Sequence, residues 1–330
     1  MDSGSKLRKL IASYGDKEEF LRAAEEIIEE EELKRNNLLA RDLRNMLYRP
    51  NSSINSFKSL KIPVDNERRL PLLEIKKFKK DWTDLVVTTK IRNSLESIIE
   101  ENNKREILSV YGLKPKQTLL FFGPPGCGKT LTAQVLSGIL GYPMVYIRFD
   151  GVISSYLGET AGNLRKIFDF IRDGRWIIFF DEFDVIGKQR DDPFEHGEMK
   201  RVVNNFLQMI DNHSSESIII CATNHQHLLD PALWRRFDDI ILFDIPNKEN
   251  RIKLIKRNLR SVRTTSMDYH LLADNMKGMS PADIEMVCLN AIKRNILDNK
   301  GTISMDDINK QLSNQKKRIT YQKNYIKLKD

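Results

Sequence analysis

Cysteine is scarce: only Cys127, Cys221 and Cys288 occur in 330 residues. They lie far apart, form no CxxC pair and have no histidine at ligand spacing. A disulfide framework and a zinc finger are therefore not expected, and a cytoplasmic, reducing setting fits. Long apolar runs are lacking as well. No stretch approaches the ~18 apolar residues of a membrane helix. No apolar segment follows Met1-Asp2-Ser3-Gly4-Ser5, so no secretory signal is expected. Among five histidines there is no HExxH, which excludes a fused zinc protease of that type. Charge of one sign does not dominate. Lys+Arg number 54 against 46 Asp+Glu, and the resulting +8 permits an acidic partner without implying nucleic acid.

What is present suffices for a globular protein. Apolar residues make up 40 % and charged residues 30 %, so a core can form and wholesale disorder is excluded. The length suggests about two or three domains of roughly 100–200 residues each. Residues 1–50 read as helices: a short piece from Lys6 to Tyr14, then a helix capped by Asp16 with Phe20, Leu21, Ala24, Ile27 and Ile28 on one face. Leu38, Leu39, Leu43, Met46 and Leu47 make a third stripe, which Pro50 ends. This segment is either a solvated helical hairpin or a dock for a partner. Residues 51–80 read as a linker with a basic run, Lys76-Lys77-Phe78-Lys79-Lys80.

From residue 81 to 246 the pattern alternates between helical stretches and short apolar runs. The runs are Thr118–Phe122, Pro143–Phe149, Trp176–Phe180, Ser217–Ala222 and Asp239–Phe243. Such runs predict buried parallel strands, hence an α/β sheet sandwiched by helices. Residues 247–312 return to helical periodicity and predict a small all-α domain. Residues 313–330 are a Lys-rich tail or helix.

One strand runs straight into Gly123-Pro124-Pro125-Gly126-Cys127-Gly128-Lys129-Thr130, with a helix following from Leu131. This is the G-x-x-x-x-G-K-T pattern between strand and helix, a specific sign of a phosphate-binding P-loop. Glycines let backbone N–H groups face phosphate oxygens, and the helix adds its positive end. Lys129 can reach the outer phosphates of ATP, and the Thr130 hydroxyl can ligate Mg²⁺. Cys127 reads as a small loop residue. A second strand ends in Asp181-Glu182. Asp181 suits the Mg²⁺ shell, and Glu182 suits activation of the attacking water. The blander alternative is an N-cap pair for the next helix. A third strand ends in Thr223-Asn224, whose carboxamide can fix water or the γ-phosphate without adding charge.

Together these residues resemble the AAA-type members of the AAA+ ATPases, over about Asp81 to Ile308. Gly123–Thr130 matches Walker A, Asp181-Glu182 matches Walker B, and Asn224 matches sensor 1. Asp81–Val87 resembles the leading segment whose backbone near Val86 borders adenine. The lid segment Gly278–Glu285 places Ala282 near the base, and Leu254 and Asn258 fall where the family's lid helix touches it. Leu229–Asp238 resembles the arginine-finger segment. Its adjacent Arg235 and Arg236 before Phe237-Asp238 are spaced most like the katanin and spastin branch. Tyr156-Leu157-Gly158 resembles the first pore loop, and Phe194–Glu198 the second, with His196 facing a channel.

The resemblance implies an ATP hydrolase with Mg²⁺. It implies a homo-oligomer, commonly a hexamer, in which the arginines complete a neighbour's site. A protein client would be remodelled through aromatic pore loops. The alternatives are local ion pairs of Arg235 and Arg236 with Asp238 or Asp239, and a Tyr156 packed on the sheet edge. At the level of the whole chain, the alternative is an ATP-gated regulatory or scaffold subunit controlling a partner enzyme such as a protease. A nucleic-acid motor rests only on the net charge and the basic segments.

Overall fold

Strands that are apolar on both faces must be covered on both sides. The computed structural model describes residues 12–13, 17–33, 61–66, 69–153, 157–186, 193–225 and 231–327. The chain divides into two units, Met1–Lys61 and Ile62–Asp330. In the first, α1 (Lys17–Leu33) buries Ala23 and Ile28, with Phe20, Leu21, Ala24 and Ile27 half-buried. That is the stripe the periodicity predicts. The Asp16 cap and the third stripe lie outside the described residues, as does most of the Lys6–Tyr14 piece.

The second unit carries β1 (Glu74–Lys76), β2 (Thr118–Phe122), β3 (Met144–Arg148), β4 (Ile177–Asp181), β5 (Ile218–Thr223) and β6 (Asp239–Leu242). Its helices are α2 (Thr89–Asn103), α3 (Arg105–Val110), α4 (Lys129–Leu140), α5 (Phe149–Val152), α6 (Leu157–Ile171), α7 (Pro193–Asp211) and α8 (Pro231–Trp234), followed by α9 (Lys248–Leu259), α10 (Tyr269–Asn275), α11 (Pro281–Leu297) and α12 (Met305–Lys327). The strands form one sheet in the order β1-β3-β4-β5-β2-β6, parallel except for β1. The five parallel strands agree with the expected runs to within one residue at each end. The short β1 departs from the expected linker. Its Ile75 lies opposite Val145, pairing the segment antiparallel to the edge of the sheet.

Alternation along the strands sorts side chains between two cores. Leu119, Phe121, Phe179 and Ile220 face one layer, which includes Leu95 and Ile98 of α2 and Leu136 of α4. On the other face Phe180 packs against Phe149, Phe168 and Phe206, with ring centroids 5.9 Å, 6.2 Å and 5.1 Å away. Each such buried side chain contributes roughly 1.5–3 kcal/mol relative to exposure.

The helices α9 to α12 enclose a separate core around Leu254, Ile255, Leu272, Ile284, Cys288 and Ile308. Ser280 caps α11 reciprocally with Asp283, and Pro281 starts it. The Lys-rich stretch from Gln315 continues α12 as helix. Leu312 and Gln315 on that helix are buried, and Gln315 donates to Asp283 Oδ1 at 2.9 Å.

Candidate active site

The strand order sets the C-terminal ends of β4, β5 and β2 side by side. Residues singled out in the sequence leave each of those ends. After β2 the chain turns through Gly123 to Gly128 into α4. Gly123 has φ 130°, and a Cβ there would stand 2.1 Å from the Phe243 carbonyl oxygen, so only glycine fits.

Lys129 opens α4 and is 7 % exposed. Its Nζ donates to the carbonyls of Gly123 (2.7 Å) and Pro124 (3.1 Å) and to Asn224 Oδ1 (2.7 Å). Three acceptors match the three donors of an ammonium. Burial pushes the Lys129 pKa down, while the nearby Asp181 and Asp184 charges push back. Cys127 sits beside it; burial pushes its thiol up against the lowering effect of the Lys129 charge and keeps it protonated.

Asp181 closes β4. Its Oδ1 accepts the Glu182 N–H at 3.0 Å and its Oδ2 accepts the Tyr146 hydroxyl at 2.8 Å. Glu182 is exposed, with φ 56°. For a non-glycine residue that left-handed backbone costs about 1–3 kcal/mol, a strain found most often at functional sites. At the tip of β5, Thr223 donates to the buried Asp184 at 3.0 Å and accepts the His225 N–H at 3.0 Å. This pins the strand end that presents Asn224.

The leading segment and the lid close the other side. Asp81 caps a 3-10 turn (Trp82–Asp84) by accepting from Thr83, and Arg92 lies 4.3 Å over the Trp82 ring. The fixed turn delivers Leu85 and Val86, and Val86 packs on the lid core. Arg257 of α9 donates to the Asp84 carbonyl, and the Ala282 N–H donates to the Gly126 carbonyl at 3.1 Å. Between these parts lies a cavity of about 380 Å³. It is lined by Val86, Pro125 to Leu131, Asp181, Glu182, Asn224, Leu254 and Ala282, all anticipated from the sequence. Leu85, Pro281 and Glu285 line it too, from within the segments Asp81–Val87 and Gly278–Glu285, and Arg257 lines it from outside every motif the sequence offers. Gly123 and Pro124 stand behind it, with their carbonyls on Lys129. Asn258 is not among the lining residues, and its side-chain nitrogen is buried without a hydrogen-bond partner.

Arg235 and Arg236 are exposed and do not line this cavity. Arg236 pairs with Asp211 of α7 at 2.5 Å, whereas the expected local partners are engaged elsewhere. Asp238 accepts the Gln117 and Thr118 N–H groups, and Asp239 pairs with Lys116. An exposed pair like Arg236–Asp211 contributes about 0–1 kcal/mol and is easily exchanged. Tyr156 lies outside the described residues, while Leu157 and Gly158 open α6 and Phe194–Glu198 lie in the first turns of α7. Among the described residues no cluster of His, Cys, Asp and Glu suits a metal by itself, and no helix is long and apolar enough to cross a membrane.

Residues 119–245 match the family model described as "ATPase family associated with various cellular activities (AAA)". The chain is also 38 % identical over 321 residues to the "Uncharacterized AAA family ATPase y4kL" of Sinorhizobium fredii (strain NBRC 101917 / NGR234), covering 96 % of this chain and 97 % of the relative. This chain belongs to the AAA ATPase family. As an AAA ATPase it is an ATP hydrolase, and the cavity suits a nucleotide. Its volume falls in the range of roughly 300–1,000 Å³ usual for ligand sites. A buried ammonium and a glycine turn at a helix N-terminus fit phosphates, and the Thr130 hydroxyl and Asp181 carboxylate are the hard oxygen donors that Mg²⁺ takes.

The residues this AAA ATPase adds to the expected set had uneven signals. Arg257 stands three positions after Leu254, on the same helical face, and was legible in principle. Tyr146 had no sequence signal, because its contact with Asp181 arises only from the pairing of β3 with β4.

Proposed function

We propose that the protein is a Mg²⁺-dependent AAA ATPase that assembles head-to-tail into a ring of about six copies. In this reading it remodels, unfolds or disassembles a protein client. The observation that carries the reading is the convergence of Lys129, Asp181, Glu182 and Asn224 on one cavity, with Arg235 and Arg236 exposed away from it. MgATP supplies the γ-phosphoryl group that water attacks. Lys129 exchanges backbone and Asn224 acceptors for phosphate oxygens, with Asn224 left to orient the water. Thr130 and Asp181 hold the Mg²⁺ shell, and Glu182 draws the proton from the water. Among the described residues the cavity holds two cations of its own, Lys129 at the glycine turn and Arg257, whose guanidinium donates to the Asp84 carbonyl. Guanidinium groups from a neighbouring copy suit the γ-phosphate charge, since they are rigid and always protonated.

The Tyr156-Leu157-Gly158 motif supports a client-gripping loop. An aromatic ring offers broad apolar area with few rotamers to fix, so it can press on many side chains without reading sequence. The spacing of Arg235 and Arg236 supports kinship with the katanin and spastin branch. Three buried free thiols support a reducing, cytoplasmic setting. Glu182→Gln tests the reading. Hydrolysis should fall by about 10²–10⁴-fold while ATP binding persists, and the trapped protein should retain its client, crosslinked at Tyr156. Near-normal turnover in Glu182→Gln would reject the assigned base. Partner crosslinks confined to residues 1–50 would instead favour a regulatory or scaffold role.

A further inference from the structure

Carboxylates that hold a metal need their own orientation fixed, and Asp181 has an unusual neighbour for this. Tyr146 lies on β3, opposite Phe179 in the register, while Arg148 lies opposite Asp181. The Tyr146 ring therefore reaches diagonally along the strand pair, within the span that a long side chain covers. Its hydroxyl donates to Asp181 Oδ2 at 2.8 Å, and the Glu182 N–H donates to Oδ1 at 3.0 Å. Each carboxylate oxygen is thus held by one donor and keeps lone pairs to spare. The ring cannot swing freely. It stacks on Phe179 at 5.8 Å with an 18° tilt, and Lys76 of β1 sits 5.6 Å over it.

We infer that Tyr146 is a positioning residue that locks the Asp181 carboxylate in the orientation required to hold Mg²⁺ with the nucleotide. The inference rests on the proposed role of Asp181. It also gives the edge strand β1 a purpose: it covers the outer face of the residue that orients the site. Groups that orient a metal-holding side chain typically contribute 10–100-fold in metal affinity.

The test is equilibrium binding of a fluorescent ADP analogue to the full chain, titrated with free Mg²⁺ from an EDTA baseline. Tyr146→Phe and Asp181→Asn are compared with the parent. Tyr146→Phe keeps the ring, its stacking and the fold. It should bind nucleotide normally in EDTA and need about tenfold more Mg²⁺ to reach the half-point of the Mg²⁺-dependent gain. A Tyr146→Phe half-point unchanged from the parent, with Asp181→Asn shifted, overturns the inference and leaves the role of Asp181 standing. No shift in Asp181→Asn overturns that role, and the inference with it. Weakened binding already in EDTA, or a lower thermal midpoint with an unchanged Mg²⁺ half-point, marks Tyr146 as merely structural and also overturns it.

Discussion

A buried ammonium is tolerated only if oxygen atoms replace its water, and Lys129 shows this at the scale of one residue. Its three acceptors come from the glycine turn and from a strand tip about 95 positions away, at Asn224. The lysine therefore couples the loop after β2 to the end of β5. Truncating a buried, hydrogen-bonded charge typically costs 2–5 kcal/mol or more. Lys129→Met should weaken binding of an ATP analogue by about 2–5 kcal/mol, read by equilibrium titration. Unchanged affinity would contradict the role given to this ammonium. At this scale the sequence was informative where chemistry is local. The G-x-x-x-x-G-K-T run and the Asp181-Glu182 pair each lie within a few consecutive residues. Tyr146 and Asp184 carry no such local signal, because their partners, Asp181 and Thr223, stand 35 and 39 positions further along the chain. Periodicity does not encode which side chains meet across a sheet.

Elements are held in place by close approaches and caps. Gly138 lies within α4, and a Cβ there would come 2.0 Å from the Lys80 carbonyl oxygen. Helix propensity alone would favour alanine at this position by about 1 kcal/mol. The collision reverses the sign, because the opposing atom is backbone and cannot rotate away. Gly138→Ala should lower stability in urea unfolding by about 1–3 kcal/mol. A stabilised variant would contradict the close approach of the Lys80 backbone to α4.

The start of α12 gives a pH-dependent counterpart. Asp307 accepts from Lys300 and from the Ser304 N–H and hydroxyl, which together hold its carboxyl at about 2 against an ordinary 3.8. Its contribution is therefore full above about pH 4 and is lost as the pH falls through 2. Asp307→Asn should reduce stability near neutrality by about 0.5–1.5 kcal/mol, the net worth of one hydrogen bond, since Asp307 is the reciprocal partner of the Ser304 cap. The gap between parent and variant should close at about pH 2. A gap that persists there would count against the cap. Five strands were legible because burial on both faces turns them into unbroken apolar runs. β1 was not, since Glu74-Ile75-Lys76 offers one apolar residue and pairs with a strand about 70 positions later.

The whole molecule presents a cavity lined by Lys129 and Arg257, with the exposed Arg235 and Arg236 outside it. Membership of the AAA ATPase family accounts for hydrolysis. The placement of the arginines supports a site finished by a second copy. A head-to-tail contact of this kind generates a ring when its rotation closes. The most direct test mixes two crippled proteins. Lys129→Met removes a subunit's own cradle but leaves its arginines. The double variant Arg235→Ala, Arg236→Ala keeps its cradle but has no arginines to offer. Each should be nearly inactive alone. Mixed under conditions that let copies exchange, they should regain ATPase activity, because an intact cradle then meets intact arginines. A mixture as inactive as its components, with copy exchange verified, would contradict the claim that neighbouring chains complete one another's active sites.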